Sequence, residues 1–280
     1  MGSAADWVTL IQAESTRLKP FLHALPREAW SRPSACAQFQ VQDVVAHLVL
    51  NAETYTASIS RGLQGDASPP AGRPPAGTVN AVSAAEGISQ RTIARREQLG
   101  DQVLAAFATA DDALTRLLAG LGPQEWETPC YHSGGVFPVR WFAQMRLSEL
   151  VIHGWDIRSR FAPDAPLSPE SLPVLMDLLA TLTPGWAFSP EAKLAMPVRY
   201  RFAVTGTVPS TIDIVVMGDT ARIAEVSDAW PNVTFRCDAE AYVLMRYGRL
   251  SLADALATGR VVVEGDQALA TASGQWFKGI

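Results

Sequence analysis

Apolar residues recur three or four positions apart in four long stretches of the first 165 residues. This spacing places them on one face of a helix and leaves the polar residues on the other. The four stretches are residues 6–25, Val41–Leu63, Thr78–Leu121 and 139–157. A Pro/Gly-rich loop at residues 64–77 joins the second stretch to the third. Four helices with one long loop predict an antiparallel four-helix bundle.

Glycine and proline indicate where these helices begin and end. Gly87 and Gly100 are candidate interruptions of the third helix, because glycine costs about 1 kcal/mol relative to alanine inside a helix. Pro138 suits the first turn of the fourth helix, because the N–H that proline lacks would have no hydrogen-bond partner within the helix there. The loop of residues 64–77 is long for a compact domain, which is typical of a mobile or functional segment.

Residues 166–280 follow a different pattern. One more helix is expected at residues 169–182. Four runs with strand character come after it: VRYRFAVTG, STIDIVVMG, ARIAEVS and NVTFRC. DAEAYVLMRYGR and SLADALATG then predict short helices with Asp238 and Ser251 as N-caps, RVVVEG a strand, and DQALATASGQWF a last helix. The expected fold class is α plus α+β: an N-terminal antiparallel four-helix bundle (residues 1–165) followed by a smaller C-terminal α+β domain.

The composition and net charge limit the classes of molecule that the protein is expected to bind. Hydrophobic residues make up 48% and charged residues 18%, as in globular proteins with ample core material. The formal net charge of −5 disfavours nucleic acid and anionic membranes. No signal pattern or membrane-spanning apolar run is found, and three scattered cysteines (Cys36, Cys130 and Cys237) suit reduced thiols. We therefore expect a cytoplasmic protein that acts on small molecules, and the choice between monomer and dimer stays open.

The stretch MRLSELVIHGWDIRS places Glu149 and His153 one helical turn apart among apolar residues. A buried carboxylate or imidazole is costly unless it has a partner. On the second helix, His47 stands beside the apolar stripe, so that a bundle can bring all three side chains together. Two imidazoles and one carboxylate suit Zn²⁺ or a similar divalent ion, and they leave a fourth position open as in catalytic sites. Asp43 or Asp156 would accept an imidazole N–H behind the ligands.

A site without metal explains the same spacing. Glu149 and His153 then form an ordinary ion pair or hydrogen bond, and His47 is a core histidine with satisfied nitrogens. Of the other histidines, His23 suits the C-terminal end of the first helix. His132 either lines the mouth of the site or lies at the surface.

DVVAHL on the second helix and RLSELVIHGWDI on the fourth resemble the mycothiol-dependent maleylpyruvate isomerase family, within the DinB-like metal-binding four-helix bundles. LPREAWSRPSAC also fits that family, and the likeness covers about residues 5–160. It implies a divalent metal, usually zinc, held at His47, Glu149 and His153, with mycothiol as co-substrate. Family members commonly have Trp-Ser before the second helix, where this chain has Phe39-Gln40, so we expect a weaker helix cap.

The C-terminal segment LATGRVVVEGD resembles the sterol-carrier-like α+β domains that are often fused to such bundles. The likeness implies that Arg260, in a Gly-Arg pair, reaches the active site; an exposed strand start explains this arginine equally well. Arg146 and Arg260 are the candidate catalytic residues, because a guanidinium can pair with a substrate carboxylate in bidentate geometry.

The candidate metal site favours a metal-dependent enzyme, and the family resemblance implies that it activates mycothiol for isomerisation of, or transfer to, an electrophilic small molecule such as maleylpyruvate. A metal-bound thiol is deprotonated and therefore nucleophilic at neutral pH. Two other functions remain open at this point. One is an apolar-ligand-binding protein in which the metal is structural, and the other is a metal-dependent hydrolase that uses bound water.

Overall fold

The computed structural model of the chain describes residues 3–79, 81–185, 188, 194–227, 229–277 and 279. The chain divides into two units, Met1–Leu167 and Ser168–Ile280, each with its own internal packing. In the described part of the chain, no helix has the length and apolar character needed to cross a membrane.

The first unit is helical, as the sequence predicts. Its α-helices are α1 (Ala4–Ala24), α2 (Val41–Leu63), α3 (Ala81–Leu99), α4 (Val103–Ala119) and α5 (Val139–Arg158). Helix α2 packs against α3, α4 and α5, and α1 packs against α4 and α5. The apolar stripe of α2, with Val44, Val45 and Leu48, is fully buried at the centre of this unit.

The third predicted helix is in fact two helices. The break lies at Gly100, which starts a 3-10 turn (Gly100–Gln102) between α3 and α4. Its φ of 49° falls in the left-handed region, which glycine adopts without the steric cost that a side chain would bring. Gly87, the other candidate interruption, lies inside α3.

A β-hairpin precedes α5 where a loop was expected. Strands β1 (Pro129–His132) and β2 (Gly135–Pro138) pair antiparallel, with a two-residue turn between them. Strands of four residues are too short for an alternating pattern to be recognised in the sequence. The hairpin also anchors the predicted long loop, because the Gly77 amide donates to the Ser133 carbonyl at 3.0 Å.

The second unit is the predicted α+β domain. It begins with α6 (Leu172–Gly185), and its strands are β3 (Leu194–Thr205), β4 (Ser210–Gly218), β5 (Thr220–Ala224), β6 (Val233–Asp238) and β7 (Val261–Gly265). They form one sheet in the order β5-β4-β3-β6-β7, in which only the β3–β6 pair is parallel. The remaining helices are α7 (Ala239–Arg246), α8 (Leu252–Ala257) and α9 (Gln267–Trp276).

One face of this sheet builds the core of the second unit. Tyr200, Phe202 and Val204 alternate along β3 and are buried, and α7 packs against β3 and β6. The N-cap prediction for Asp238 is confirmed, because its carboxylate accepts from the Ala241 amide at 2.6 Å. The N-cap prediction for Ser251 is also confirmed by the hydrogen bond between its hydroxyl and the amide of the third helical residue.

Candidate metal centre

Helix α2 carries His47 into the interior of the first unit. Residues on either side of His47 are fully buried, so its ring is held at the edge of the apolar stripe with 15% of its side chain exposed. The first turn of the helix is capped by Asp43, whose Oδ2 accepts from the Gln40 amide at 2.9 Å. An acidic residue at this position stabilises a helix start through the amides and the dipole. Cap and apolar stripe together fix the position of His47.

Helix α5 supplies the other two groups. Oε2 of Glu149 lies 3.0 Å from Nε2 of His47 and 3.2 Å from Nε2 of His153. The two imidazole rings are nearly perpendicular, with centroids 4.8 Å apart. The three donor atoms lie within 4.8 Å of one another, a grouping that can hold one metal ion. The structure thus brings His47, Glu149 and His153 to one point.

The protonation states of Glu149 and His153 depend on each other. Burial by itself would raise the pKa of Glu149, but attraction from His47 and hydrogen bonding with His153 hold that pKa well below its usual range. Burial opposes the charged form of His153 too, yet hydrogen bonds to Asp156 and Glu149 raise its pKa to about 9. Without an ion, a proton on His153 therefore balances the carboxylate. A divalent cation can replace that proton, because metal ligands must be deprotonated.

The imidazoles have partners behind the cluster. Oδ2 of Asp156 lies 2.8 Å from Nδ1 of His153, and this carboxylate is fully buried. A carboxylate at that position fixes the ring orientation and directs Nε2 towards Glu149. Thr92 on α3 takes the corresponding place at His47, with its hydroxyl 3.5 Å from Nδ1.

Asp43, the alternative to Asp156 as an imidazole partner, makes other contacts. Besides capping α2, its Oδ1 accepts from Nε of Arg96 on α3 at 3.0 Å. Its carboxylate is thus used by the helix start and by an ion pair between helices. Thr92 was missed because neither its residue type nor its spacing indicates that α3 faces His47.

A second group of possible ligand atoms adjoins the first. Sγ of Cys36 lies with atoms of His153 and Asp156 inside a 4.8 Å grouping. The segment that carries Cys36 is held against α5, because the Ala35 amide donates to the Asp156 carbonyl at 2.9 Å. The thiol therefore belongs to the surroundings of the candidate metal centre rather than to an isolated loop.

His132, at the end of β1, lies in an aromatic environment. Its ring contacts those of four neighbours: Tyr55, Phe137, Trp141 and Phe142. Burial lowers the pKa of His132 to about 4, although the charge of Glu149 acts in the opposite direction. The imidazole is thus neutral at pH 7, and its Nδ1 accepts the Gly134 amide at 3.1 Å. The structure therefore places His132 within electrostatic reach of Glu149, and not on the open surface.

Arg146 has a different environment from the one expected of a substrate-binding residue. Its side chain is fully buried, and Nη2 donates to Oδ1 of Asp111 at 2.9 Å. Nη1 donates to the Leu48 carbonyl and to Oδ1 of Asn51, each at 3.0 Å. The guanidinium ties α5 to α2 and α4, and its charge is already paired with the Asp111 carboxylate. These contacts give Arg146 a structural role, and its catalytic role stays a prediction.

Arg260 lies in the second unit, just before β7. Its Nη2 donates to Oε1 of Glu240 at 3.1 Å and lies 3.9 Å from a carboxylate oxygen of Asp238. About a third of the side chain, 32%, is exposed. Its catalytic role stays a prediction.

A helical unit with two histidines and one carboxylate at one point, followed by an α+β unit, defines a class of two-unit proteins with a candidate metal centre. Residues 11–158 match the family model of the mycothiol maleylpyruvate isomerase N-terminal domain, and residues 171–272 match that of the MDMPI C-terminal domain. The chain therefore belongs to the mycothiol-dependent maleylpyruvate isomerase family.

Solved structures agree on the fold. A crystal structure of a mutant of the mycothiol-dependent maleylpyruvate isomerase matches with a TM-score of 0.62 and 14% identity, over 94% of this chain and 93% of that one. A second crystal structure of that isomerase matches with a TM-score of 0.61 and 13% identity over the same shares. No curated protein matches in sequence. Identity this low supports the fold, whereas the reaction has to be argued from the residues.

Proposed function

We propose that this chain is a metal-dependent enzyme that activates mycothiol for the isomerisation of an electrophilic small molecule such as maleylpyruvate. The observation that carries the proposal is the meeting of His47, Glu149 and His153 within 4.8 Å in a member of this family. Transfer of the thiol to the electrophile is the related reaction of the same site.

The donor set fits zinc. Two neutral imidazoles and one carboxylate are ligands of catalytic zinc sites, which keep a further position for water or substrate. The depressed pKa of Glu149 keeps the carboxylate available as a ligand. When bound, such an ion supplies one function: it lowers the pKa of a coordinated thiol, so that the thiolate is present at neutral pH.

The chain's own residues orient the ligands. Asp156 accepts the Nδ1 proton of His153, so that Nε2 is the nitrogen directed into the cluster. Thr92 lies at the corresponding nitrogen of His47, at the longer distance of 3.5 Å. Both imidazoles are thus oriented before any ion arrives, which reduces the ordering that binding requires.

The aromatic cluster around His132 would exclude water from the thiol. Trp141 and Phe142, on the first turn of α5, are buried, and the ring of Trp141 stacks on Phe137 at a centroid distance of 4.1 Å. An apolar surface that excludes water strengthens electrostatic interactions within the site, because it lowers the local dielectric constant. Addition of the thiol to a conjugated cis double bond, rotation about the resulting single bond and loss of the thiol then complete the isomerisation. The thiol is regenerated.

The experiment is a turnover assay of the purified full chain with zinc, mycothiol and maleylpyruvate. We expect isomerisation that requires the thiol and is abolished in Glu149→Gln, which keeps the side-chain shape but removes the charge. His23→Ala, an exposed histidine on α1, is the matched control and should retain full activity.

Other outcomes of the same assay distinguish the alternatives. Accumulation of a stable thiol adduct, detected by mass spectrometry, would identify an S-transferase. Thiol-independent cleavage of an ester or amide would favour the hydrolase, since a metal-bound water is acidic enough to act near neutral pH. No turnover with any thiol, in a protein that binds zinc, would contradict the proposed function.

A further inference from the structure

Helix α7 carries two polar side chains into the core of the second unit. Arg246 is 5% exposed, and Tyr242, one turn earlier, is fully buried. Residues four apart lie on the same face of a helix, so both side chains are directed to the same side of α7. Neither residue belongs to the candidate metal centre, which lies in the first unit.

The hydrogen bonding of these two side chains is incomplete. Nη2 of Arg246 donates to Oγ1 of Thr183 on α6 at 3.2 Å, and its guanidinium carbon lies 4.3 Å from the ring centroid of Phe277. Nε of Arg246 and the hydroxyl of Tyr242 are both buried, and neither has a hydrogen-bond partner among the residues that the structure describes. Buried donors of this kind are rare in folded proteins, and each one calls for an explanation.

The charge of Arg246 is not compensated either. In the ranges that the structure describes, no carboxylate lies within ion-pair distance of this guanidinium, whereas Arg146 in the first unit pairs with Asp111. Burial lowers the pKa of Arg246, with Tyr242 the neighbour that opposes the shift. Arginine nevertheless keeps its proton in proteins. Burial also raises the pKa of Tyr242 to about 12, so its hydroxyl is a neutral donor at pH 7.

We propose that the core of the second unit binds a small carboxylate anion between Arg246 and Tyr242. The Nε and Nη2 edge of a guanidinium matches the two oxygens of a carboxylate in bidentate geometry. The tyrosine hydroxyl, from the same helix face, donates a further hydrogen bond to one of these oxygens. A bound carboxylate satisfies both unpartnered donors and neutralises the buried charge, which the ring of Phe277 offsets only in part.

The buried side chains around Arg246 favour an anion of small size. Thr183 and Tyr242 are fully buried, and Phe277 covers the guanidinium from its face. Acetate is therefore a suitable probe, and chloride is the matched anion that lacks the planar pair of oxygens.

The test is the melting temperature of the full chain while acetate replaces chloride at constant total anion concentration and constant pH. For the wild type, we expect the melting temperature to rise with acetate and to saturate, because a ligand that binds only the folded state stabilises it. Arg246→Met removes charge and donors but keeps a similar shape, so its melting temperature should not respond to the exchange. Without acetate, Arg246→Met should melt no lower than the wild type, since the uncompensated charge is gone.

Two further variants complete the design. Tyr242→Phe removes one donor and should shift the acetate midpoint to several-fold higher concentration, which keeps the proposal testable if Arg246→Met does not fold. Arg236→Met changes an exposed arginine that pairs with Glu264 on the sheet, and it should respond to acetate as the wild type does. An equal response in wild type and Arg246→Met, or no response in the wild type, would overturn the proposal.

Discussion

At the scale of single residues, one carboxylate lies between two imidazoles. Glu149 meets Nε2 of His47 at 3.0 Å and Nε2 of His153 at 3.2 Å, in an interior where each group would be costly alone. Against the effect of burial, His47 and His153 lower the pKa of Glu149, and hydrogen bonds with Asp156 and Glu149 raise the pKa of His153. The same arrangement fits a buried ion pair and a set of metal ligands. The two interpretations predict different responses of the protein to added metal.

Asp156→Asn tests the support behind His153. The buried carboxylate lies 2.8 Å from Nδ1 of the ring, and partners of this kind raise the basicity of a metal-ligating imidazole. We expect zinc affinity to fall about 10- to 100-fold. A competition titration against a chromophoric chelator measures it. Asp112→Asn, an exposed carboxylate paired with Lys19, is the control and should bind zinc as the wild type does. Unchanged affinity in Asp156→Asn would contradict this role.

The pH dependence of the metal-free protein follows from His153. Its pKa is raised from 6.5 to about 9 in the folded state. The folded state therefore binds the proton more tightly than the unfolded state does. The resulting stability is fully present below about pH 6.5 and is lost as pH rises to about 9, on the order of 3 kcal/mol at most.

Urea unfolding in the presence of a chelator, at a series of pH values, measures this loss. His153→Gln should lack the part of the slope that the imidazole contributes, so the difference between the two proteins isolates it. Zinc affinity should rise over the same pH window, because the ion has to displace the proton. Identical slopes for wild type and His153→Gln would mean that the proton is not held in this way.

At the scale of elements, the apolar pattern predicted the helices and caps that depend on local sequence. Val41–Leu63 is α2 at both ends, since its stripe is buried throughout and Asp43 caps its first turn. Asp43 or Asp156 was the expected imidazole partner, although an acidic residue three positions after the N-cap, as Asp43 is, is itself a capping signal. Phe39-Gln40 was expected to weaken this cap, yet the Gln40 amide finds its acceptor in Asp43.

Gly62→Ala tests the packing of α2 on the hairpin. A Cβ at this position would meet the Cys130 thiol and lie 2.8 Å from the Pro129 carbonyl oxygen. We expect a loss of about 1–3 kcal/mol in the free energy of unfolding, because a packed interior has no space for an added methyl. A Cβ at Gly274 in α9 meets no described atom within 4 Å, so Gly274→Ala should instead stabilise the fold by up to about 1 kcal/mol. Denaturant unfolding compares the two, and equal effects would refute the close packing.

At the scale of the whole molecule, the order of helices and strands could be predicted, whereas the contacts between distant segments could not. The sheet order β5-β4-β3-β6-β7 depends on pairings between strands that are far apart in sequence. The position of Thr92 beside His47 likewise depends on how α3 packs on α2. His47, Glu149 and His153 could be proposed together because two of them are four residues apart and the third shares an apolar stripe. The buried state of Arg146 has no local signal in the sequence.

Metal content tests the central claim most directly. We would purify the full chain, Glu149→Gln and His23→Ala side by side, load each with zinc, remove free ion and measure zinc per chain by plasma mass spectrometry. Three protein ligands predict about one tightly held ion in the wild type and in His23→Ala. Glu149→Gln should retain almost none, because the charged ligand between the two imidazoles is gone. Equal zinc content in Glu149→Gln and the wild type would contradict the proposed metal centre.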